Sequence, residues 1–467
     1  MDEQTAAFVA VFRTFLEEVV SAQHAEESSG EPGLVALLTD HLGADPRRLP
    51  VVSEEFPAYR LADLDVALDE IEQRAGPATL LGIGGGEQRR HHSLSEILEA
   101  SGRFQQFPVG AVDYSSTATG PDSTREIVSF GMRLFSFDGV PVAVLQRGAD
   151  PRTGSANARM EVLAAAPGVA AALIGTVRAV MLERSVLRGQ VLTLGGSDFE
   201  PGVGGITFHR RPVLAPDDIV LPAGVLERLQ RHVAGVARHR DRLRAAGQHL
   251  KRGLLLYGPP GTGKTHTVRY LLGALPDLTV ILLAGPSIQY VSEAALMARA
   301  LQPALVVLED CDLVAESRDH HGGEQPLLFA VLEALDGLSD DADVAFLLTT
   351  NRVDVLEPAL AQRPGRVDLA VEVPLPGLAA RRLLIARYAR RLPFSADILD
   401  EVAERTEGTT ASFAKELVRR AVLIAAEDDR DPGDADLRQA VDEMLAEAEN
   451  VTRSLLGTST TNGLYNE

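Results

Sequence analysis

Gly253-Leu254-Leu255-Leu256-Tyr257-Gly258-Pro259-Pro260-Gly261-Thr262-Gly263-Lys264-Thr265 is the stretch on which the reading of this chain turns. Its first five residues form an apolar run of strand length. The next eight spell G-x-x-x-x-G-K-T in the setting that pattern needs, a buried strand feeding a glycine-rich turn that opens a helix. Glycines let backbone N–H groups approach a triphosphate without Cβ obstruction, and the N-terminal end of the following helix presents its positive dipole to the same anion. Lys264 is then placed to reach the β- and γ-phosphates, and the Thr265 hydroxyl to ligate magnesium. Gly258, Pro259, Pro260, Gly261, Thr262, Gly263 and His266 complete the cradle. The plain alternative is a tight strand-to-helix turn carrying a chance lysine. The full motif behind a clean strand favours a nucleoside triphosphate site.

Working outward, three more short apolar runs follow at Thr279 to Leu283, Leu305 to Leu308 and Val344 to Thr349. None alternates clearly, which predicts strands buried on both faces of a parallel sheet, and the helical stretches between them predict an α/β fold. Leu305-Val306-Val307-Leu308 ends in Glu309-Asp310, carboxylates at the carboxyl end of a strand, where ligands of open sheets bind. There they are candidates for the magnesium ligand and for the base that orients water; a pair of solvated charges closing a strand is the alternative. The run Val344 to Thr349 leads into Thr350-Asn351, an amide that could hold the attacking water or merely turn the chain. In Gln362-Arg363-Pro364-Gly365-Arg366 the proline and glycine set a loop, whose arginines could stabilise transition-state charge or pair with local acids.

The order of these motifs, with Leu332-Glu333-Ala334-Leu335-Asp336-Gly337 between them, resembles the AAA family of ATPases, in its branch with two arginines in the second region of homology. The resemblance covers roughly residues 205 to 446. It implies an α/β phosphate-loop domain with a parallel sheet and a C-terminal helical lid, cofactors ATP and Mg2+, and a self-assembled ring, usually a hexamer. In that arrangement Asn351 is the first sensor, and Arg363 and Arg366 are fingers reaching a neighbour's site. Asp218 and Ile219 contact the adenine, and Ala411 lies in the lid turn over the ribose. Where the family has Asp-Glu, this chain reads Glu309-Asp310, an order also found in some mitochondrial relatives. Glu309 then takes the magnesium position and Asp310 the base position, each altered by one methylene. Tyr290 and Val291 fall where relatives carry a pore loop that grips polypeptide, but Ser292 replaces its glycine. Tyr290 is therefore either a pore paddle or an aromatic packed beneath a helix start. His320-His321-Gly322-Gly323 could line a second pore loop; two adjacent histidines without nearby ligands read as a polar loop rather than a metal site.

The rest of the chain is read as helical over 1–104, an α+β recognition or adaptor module over 105–200, the nucleotide domain over 205–376, the lid over 377–450 and a disordered tail over 451–467. Within these, helix is expected to about residue 75 and again over 157–188. Glu126 to Phe137 and Val140 to Leu145 read as a hairpin turning at Asp138-Gly139. Ser93 with Glu96 marks a capping box. Gly82 to Gly86 lacks a following lysine and reads as a loop, and the glycine-rich Gly195 to Gly205 as the linker between the halves. A net charge of −21 argues against a nucleic-acid surface, and the single cysteine, Cys311, fits a reducing cytoplasm. No signal-peptide pattern opens the chain, and no apolar run reaches the roughly eighteen residues a bilayer crossing needs. The expected function is a ring-forming ATPase that remodels, unfolds or disassembles protein clients chosen by the N-terminal module. The rival is a slow-hydrolysing, nucleotide-gated ring scaffold.

Overall fold

The computed structural model describes residues 33–104, 106–150, 157–196, 203–312, 341–352 and 367–455, with Thr14, Glu333 and Gly337. It divides into two compact units that meet at Arg210/Arg211.

The first unit is built on a seven-stranded sheet. Its strands are β1 (Val51–Pro57), β2 (Thr79–Ile83), β3 (Val109–Gly110), β4 (Asp113–Ala118), β5 (Thr124–Phe137), β6 (Val140–Arg147) and β7 (Asn157–Ala164), in the order β1-β7-β6-β5-β2-β3 with β4 also on β5. The pairs in this sheet are antiparallel. Period-two alternation sends Val142 and Val144 to one face and Ala143 and Leu145 to the other. Helices Leu61–Ala75 and Val169–Glu183 cover the first face, and helices Leu34–Leu42 and Leu94–Phe104 the second. The hairpin turns where Asp138 (φ 50°) and Gly139 (φ 79°) both take left-handed backbone, the conformation that strand twist selects. Ser93 and Glu96 form the reciprocal capping box.

Several expectations for this half are corrected. Val51–Pro57 and Thr79–Ile83 are strands, so one sheet takes strands from both sides of residue 104, and the boundary expected there falls inside one sheet; the helix expected over Ala6 to Val20 lies outside the described residues. Asn157–Ala164 is a strand too; its apolar run was too short to separate from the helix behind it. The glycine-rich stretch is in part a hairpin, with β8 (Val191–Gly196) on β9 (Val203–His209) in a register that pairs Gly195 with Gly205. Gly84 donates its N–H to the Pro108 carbonyl at 2.6 Å, which makes the Gly82–Gly86 segment a packed loop of the sheet edge.

In the second unit β10 (Arg252–Tyr257), β11 (Thr279–Ala284), β12 (Ala304–Glu309), β13 (Val344–Thr350) and β14 (Leu369–Glu372) run parallel in the order β14-β10-β13-β12-β11. Leu305, Val306, Val307 and Leu308 are all fully buried, so neither face of β12 meets water, as the unbroken apolar run requires. Arg252 anchors the start of β10 by donating to Asp343 Oδ1 at 2.8 Å and to the Val233 carbonyl at 2.8 Å, in a pair 2% exposed on both sides. Beyond the sheet come helices Leu378–Ala389, Ala396–Arg405, Ala411–Glu427 and Asp434–Leu455, closed on a core that includes Ile385, Val402, Leu417 and Val441. The last helix extends to Leu455, so helix replaces the expected tail as far as that residue. No helix among the described residues is long and apolar enough to cross a membrane.

Candidate nucleotide site

Strand β10 delivers the chain to Gly258 at φ 145°, and Val373 donates its N–H to the Tyr257 carbonyl beside it. A Cβ at Gly258 would stand 2.2 Å from the Val373 carbonyl oxygen, so only glycine lets the loop leave the sheet this close to its neighbour. The loop then opens helix Lys264–Ala274. Thr262 Oγ1 donates to the Pro259 carbonyl at 2.9 Å, and buried Lys264 donates from Nζ to the carbonyls of Gly258 (2.7 Å) and Pro259 (2.9 Å). Burial holds the Lys264 ammonium below the usual lysine range, partly offset by the negative charges of Asp310 and Asp312. The cradle is thus a positive group with carbonyl partners, poised to exchange them for an anion.

A cavity of about 480 Å3 opens on this loop. Pro260, Gly261, Thr262, Gly263, Lys264, Thr265 and His266 form one wall. Asp310 and Asn351 close the strand-tip side. Asp218 and Ile219 arrive from the segment before β10, and Ala411 and Ser412 from the lid. Asp218 is held by an ion pair with Arg387 of the lid, and Val220 packs on the lid core. Ser412 donates its N–H to the Gly261 carbonyl at 3.0 Å, so the lid touches the phosphate loop directly.

The structure therefore gathers most of the residues singled out by sequence around one cavity, and separates a few. Gly258 and Pro259 lie beneath it, with their carbonyls on Lys264. Glu309 is half-buried and off the cavity wall, and its carboxyl is pushed above the usual range by burial and by Asp310. Asp310 lines the wall from a left-handed backbone, φ 51°, with its N–H on Thr349 Oγ1 at 2.9 Å. Val291 is fully buried, which corrects its expected place in a polypeptide pore; Tyr290 is half-buried, directly before helix Val291–Ala300. Arg363, Arg366 and His320 to Gly323 lie outside the described residues, as does most of 332–337. No cluster of three metal-ligating side chains occurs among the described residues.

Sequence reasoning missed several contributors. Tyr388 and Leu384 of the lid line the cavity beside Ile219, and Arg269 and Lys415 bring further positive charge. Burial, with those two cations, lowers the His266 imidazole. Asp312 is 5% exposed and accepts from Thr350 Oγ1 (3.0 Å) and Asn351 N (3.1 Å). Cys311, between the two aspartates, is pushed up to about 12 by burial and stays a protonated thiol. The lysine and tyrosine lie on helix faces whose direction only the folded lid defines, so no local pattern marked them.

A glycine-cradled lysine at the carboxyl edge of a parallel sheet, under a helical lid, defines a phosphate-loop nucleotide-binding domain. Residues 254–375 match the ATPase family associated with various cellular activities (AAA). The chain is 34% identical over 262 residues to the ATP-dependent zinc metalloprotease FtsH 2 of Sphaerobacter thermophilus, covering 53% of this chain and 38% of that protein. It is 28% identical over 280 residues to the proteasome-activating nucleotidase of Thermococcus onnurineus, covering 57% and 70%. With the 26S proteasome regulatory subunit 6A of Encephalitozoon cuniculi the identity is 30% over 247 residues, covering 49% and 61%. The chain spans about half the length of the curated relatives it matches. Residues 254–375 are thus an AAA-family ATPase domain.

Proposed function

We propose that this chain hydrolyses ATP with Mg2+ and uses the cycle, as a homo-oligomeric ring, to remodel protein clients engaged by its N-terminal unit. The observation that carries this reading is the convergence of Lys264, Asp310 and Asn351 on one cavity that the lid closes through Ser412. The residues present fit the nucleotide: among the described residues buried Lys264 has only loop carbonyls as hydrogen-bond partners, and the Gly258 position admits no Cβ. Thr265 is the hydroxyl on the wall that would hold the metal, which when bound neutralises charge building on the phosphates; Glu309, expected at the metal position, lies off the wall, and Asp310 is kept for the base position. Ile219, Leu384 and Tyr388 offer apolar surface for the base. The relatives named above are an ATP-dependent metalloprotease, a proteasome-activating nucleotidase and a proteasome regulatory subunit, which supports a polypeptide client.

Asp310→Asn tests the base assignment. Turnover measured by phosphate release should fall about a hundredfold while a fluorescent ADP analogue binds within about twofold of wild type. Equal loss of both would remove Asp310 from the hydrolytic step. Ring action is tested by titrating Arg366→Ala protein into wild type. Shared sites predict activity falling faster than the wild-type fraction, whereas strict proportionality would leave Arg366 acting within its own subunit or not at all.

A second reading, a ring that nucleotide gates but hydrolyses slowly, is favoured by two observations. Asp310 brings a shorter side chain to the base position, and Val291 is buried. Wild-type turnover no better than a Lys264→Ala control would select it.

A further inference from the structure

The β12–β13 ladder ends where Leu308 pairs with Leu348. Beyond that point the strands are tied by side chains instead. Asp310 donates its N–H to Thr349 Oγ1, and Asp312 takes the Thr350 hydroxyl at 3.0 Å and the Asn351 N–H at 3.1 Å. A third contact runs from Asn351 Nδ2 to Asp312 Oδ2 at 3.4 Å. Among the described residues, each group hydrogen-bonded to Asp312 is a donor, and Asp312 is 5% exposed. A carboxylate only accepts, so the edge of the Asn351 amide turned toward it must be the NH2 edge. The carbonyl oxygen then occupies the opposite edge, and Asn351 lines the cavity beside Asp310.

We propose that Asp312 is a positioning residue for hydrolysis: it locks the Asn351 amide so that Oδ1, an acceptor, faces the attacking water. An unrestrained amide could offer either edge, and its N–H edge would repel a water O–H directed at it. Oδ1 together with Asp310 gives the water two acceptors for its two protons, and its lone pair is left toward the γ-phosphate. The bonds from Asp310 to Thr349 and from Asp312 to Asn351 hold both acceptors in one frame, so the base and the amide keep their separation as the lid moves. This inference rests on the hydrolysis reading above.

The experiment is a double-mutant cycle in the full-length chain, with phosphate release giving kcat and KM and a fluorescent ADP analogue giving affinity. Asp312→Asn keeps the shape but sets one NH2 against another. It should lower kcat about ten- to hundredfold, the scale of a small misplacement, with KM and ADP affinity within about twofold. The double variant Asp312→Asn/Asn351→Ala should then lose no more than Asn351→Ala alone, because Asp312 acts through the amide. Additive losses, or an unchanged kcat, overturn the proposal, as does a joint fall of kcat, affinity and melting temperature, the mark of a merely structural role. If Asp312→Asn does not fold, Thr350→Val removes one donor to the same carboxylate and should lower kcat at constant KM; an unchanged kcat there overturns the proposal equally. Wild-type turnover no greater than that of Lys264→Ala would bring down hydrolysis itself, and this inference with it.

Discussion

Lys264→Ala is expected to cut ATP turnover by about a thousandfold or more and to weaken nucleotide binding strongly. The ammonium is buried, bonded among the described residues to two carbonyls of its own loop, and depressed by desolvation. Such a group gains most from an anion that replaces those carbonyls, because an ion pair out of water is stronger than an ammonium–carbonyl bond. The gain is greatest as charge shifts toward the β–γ bridge during transfer, so kcat should suffer beyond binding. Removing the amine also leaves the Gly258 carbonyl without its side-chain donor, while Pro259 keeps Thr262, at a cost of about 1–3 kcal/mol. A modest drop in melting temperature should therefore accompany the loss, and Lys264→Met, which keeps the aliphatic stem, separates packing from charge. Phosphate release and titration with a fluorescent ATP analogue measure both effects. Retention of more than about a tenth of wild-type turnover would mean that the triphosphate does not rest on this side chain.

That this lysine could be singled out from sequence has a physical reason. The phosphate loop packs its functional groups into eight consecutive residues after a strand with no polar face, so local order and chemistry coincide. The buried sheet was legible for the same cause: Leu305 to Leu308 and Val344 to Thr350 admit no amphipathic alternative. The carboxylates and the amide were found because strand ends place them. What was not legible depends on three-dimensional placement. Asp312 gains its role from a strand about forty residues away, across a side-chain bond that no spacing announces. Lys415 and Tyr388 reach the cavity only because the lid folds back over it. Edge strand β1 misled because Val51–Pro57 carries charges, ends in proline and pairs on one side alone, so its alternation is weak. The glycines of Gly195 to Gly205 read as a linker because glycine weakens a strand signal, yet Gly195 pairs with Gly205 in the β8–β9 hairpin.

In the first unit the largest stability effect is expected at Arg133, which sequence reading passed over. Asp65, Asp69 and Glu72 stand at i, i+4 and i+7 on helix Leu61–Ala75, one stripe facing β5. Arg133 on β5 is 2% exposed and donates to Asp65 Oδ1 (2.7 Å), Asp69 Oδ1 (2.8 Å) and Glu72 Oε2 (3.0 Å), while Gln146 Oε1 takes its Nε–H at 3.1 Å. Arg133→Met keeps the length but strips Glu72 of its cation and leaves Asp65 and Asp69 only the half-exposed Arg125, where breaking a buried pair typically costs about 3–5 kcal/mol. Burial already holds Glu72 above the usual glutamate range, with Arg133 pulling down and Asp69 and Asp65 pushing up. A carboxyl raised in the fold favours the native state below its unfolded pKa, and that contribution is lost as pH climbs through the folded value. Without Arg133 the value rises further, so the deficit of the variant should be smallest near about pH 4.5 and widen toward about pH 7. Urea titration of the full chain, with hydrogen exchange read on residues 61–75 and 124–147, measures it. Adding Asp65→Asn provides the control: alone it should destabilise by breaking the Arg133 pair, but in the Arg133→Met background it should be neutral or restorative because it removes a like charge. A deficit of Arg133→Met that stays constant with pH, or that Asp65→Asn deepens, would mean that Arg133 contributes packing rather than charge.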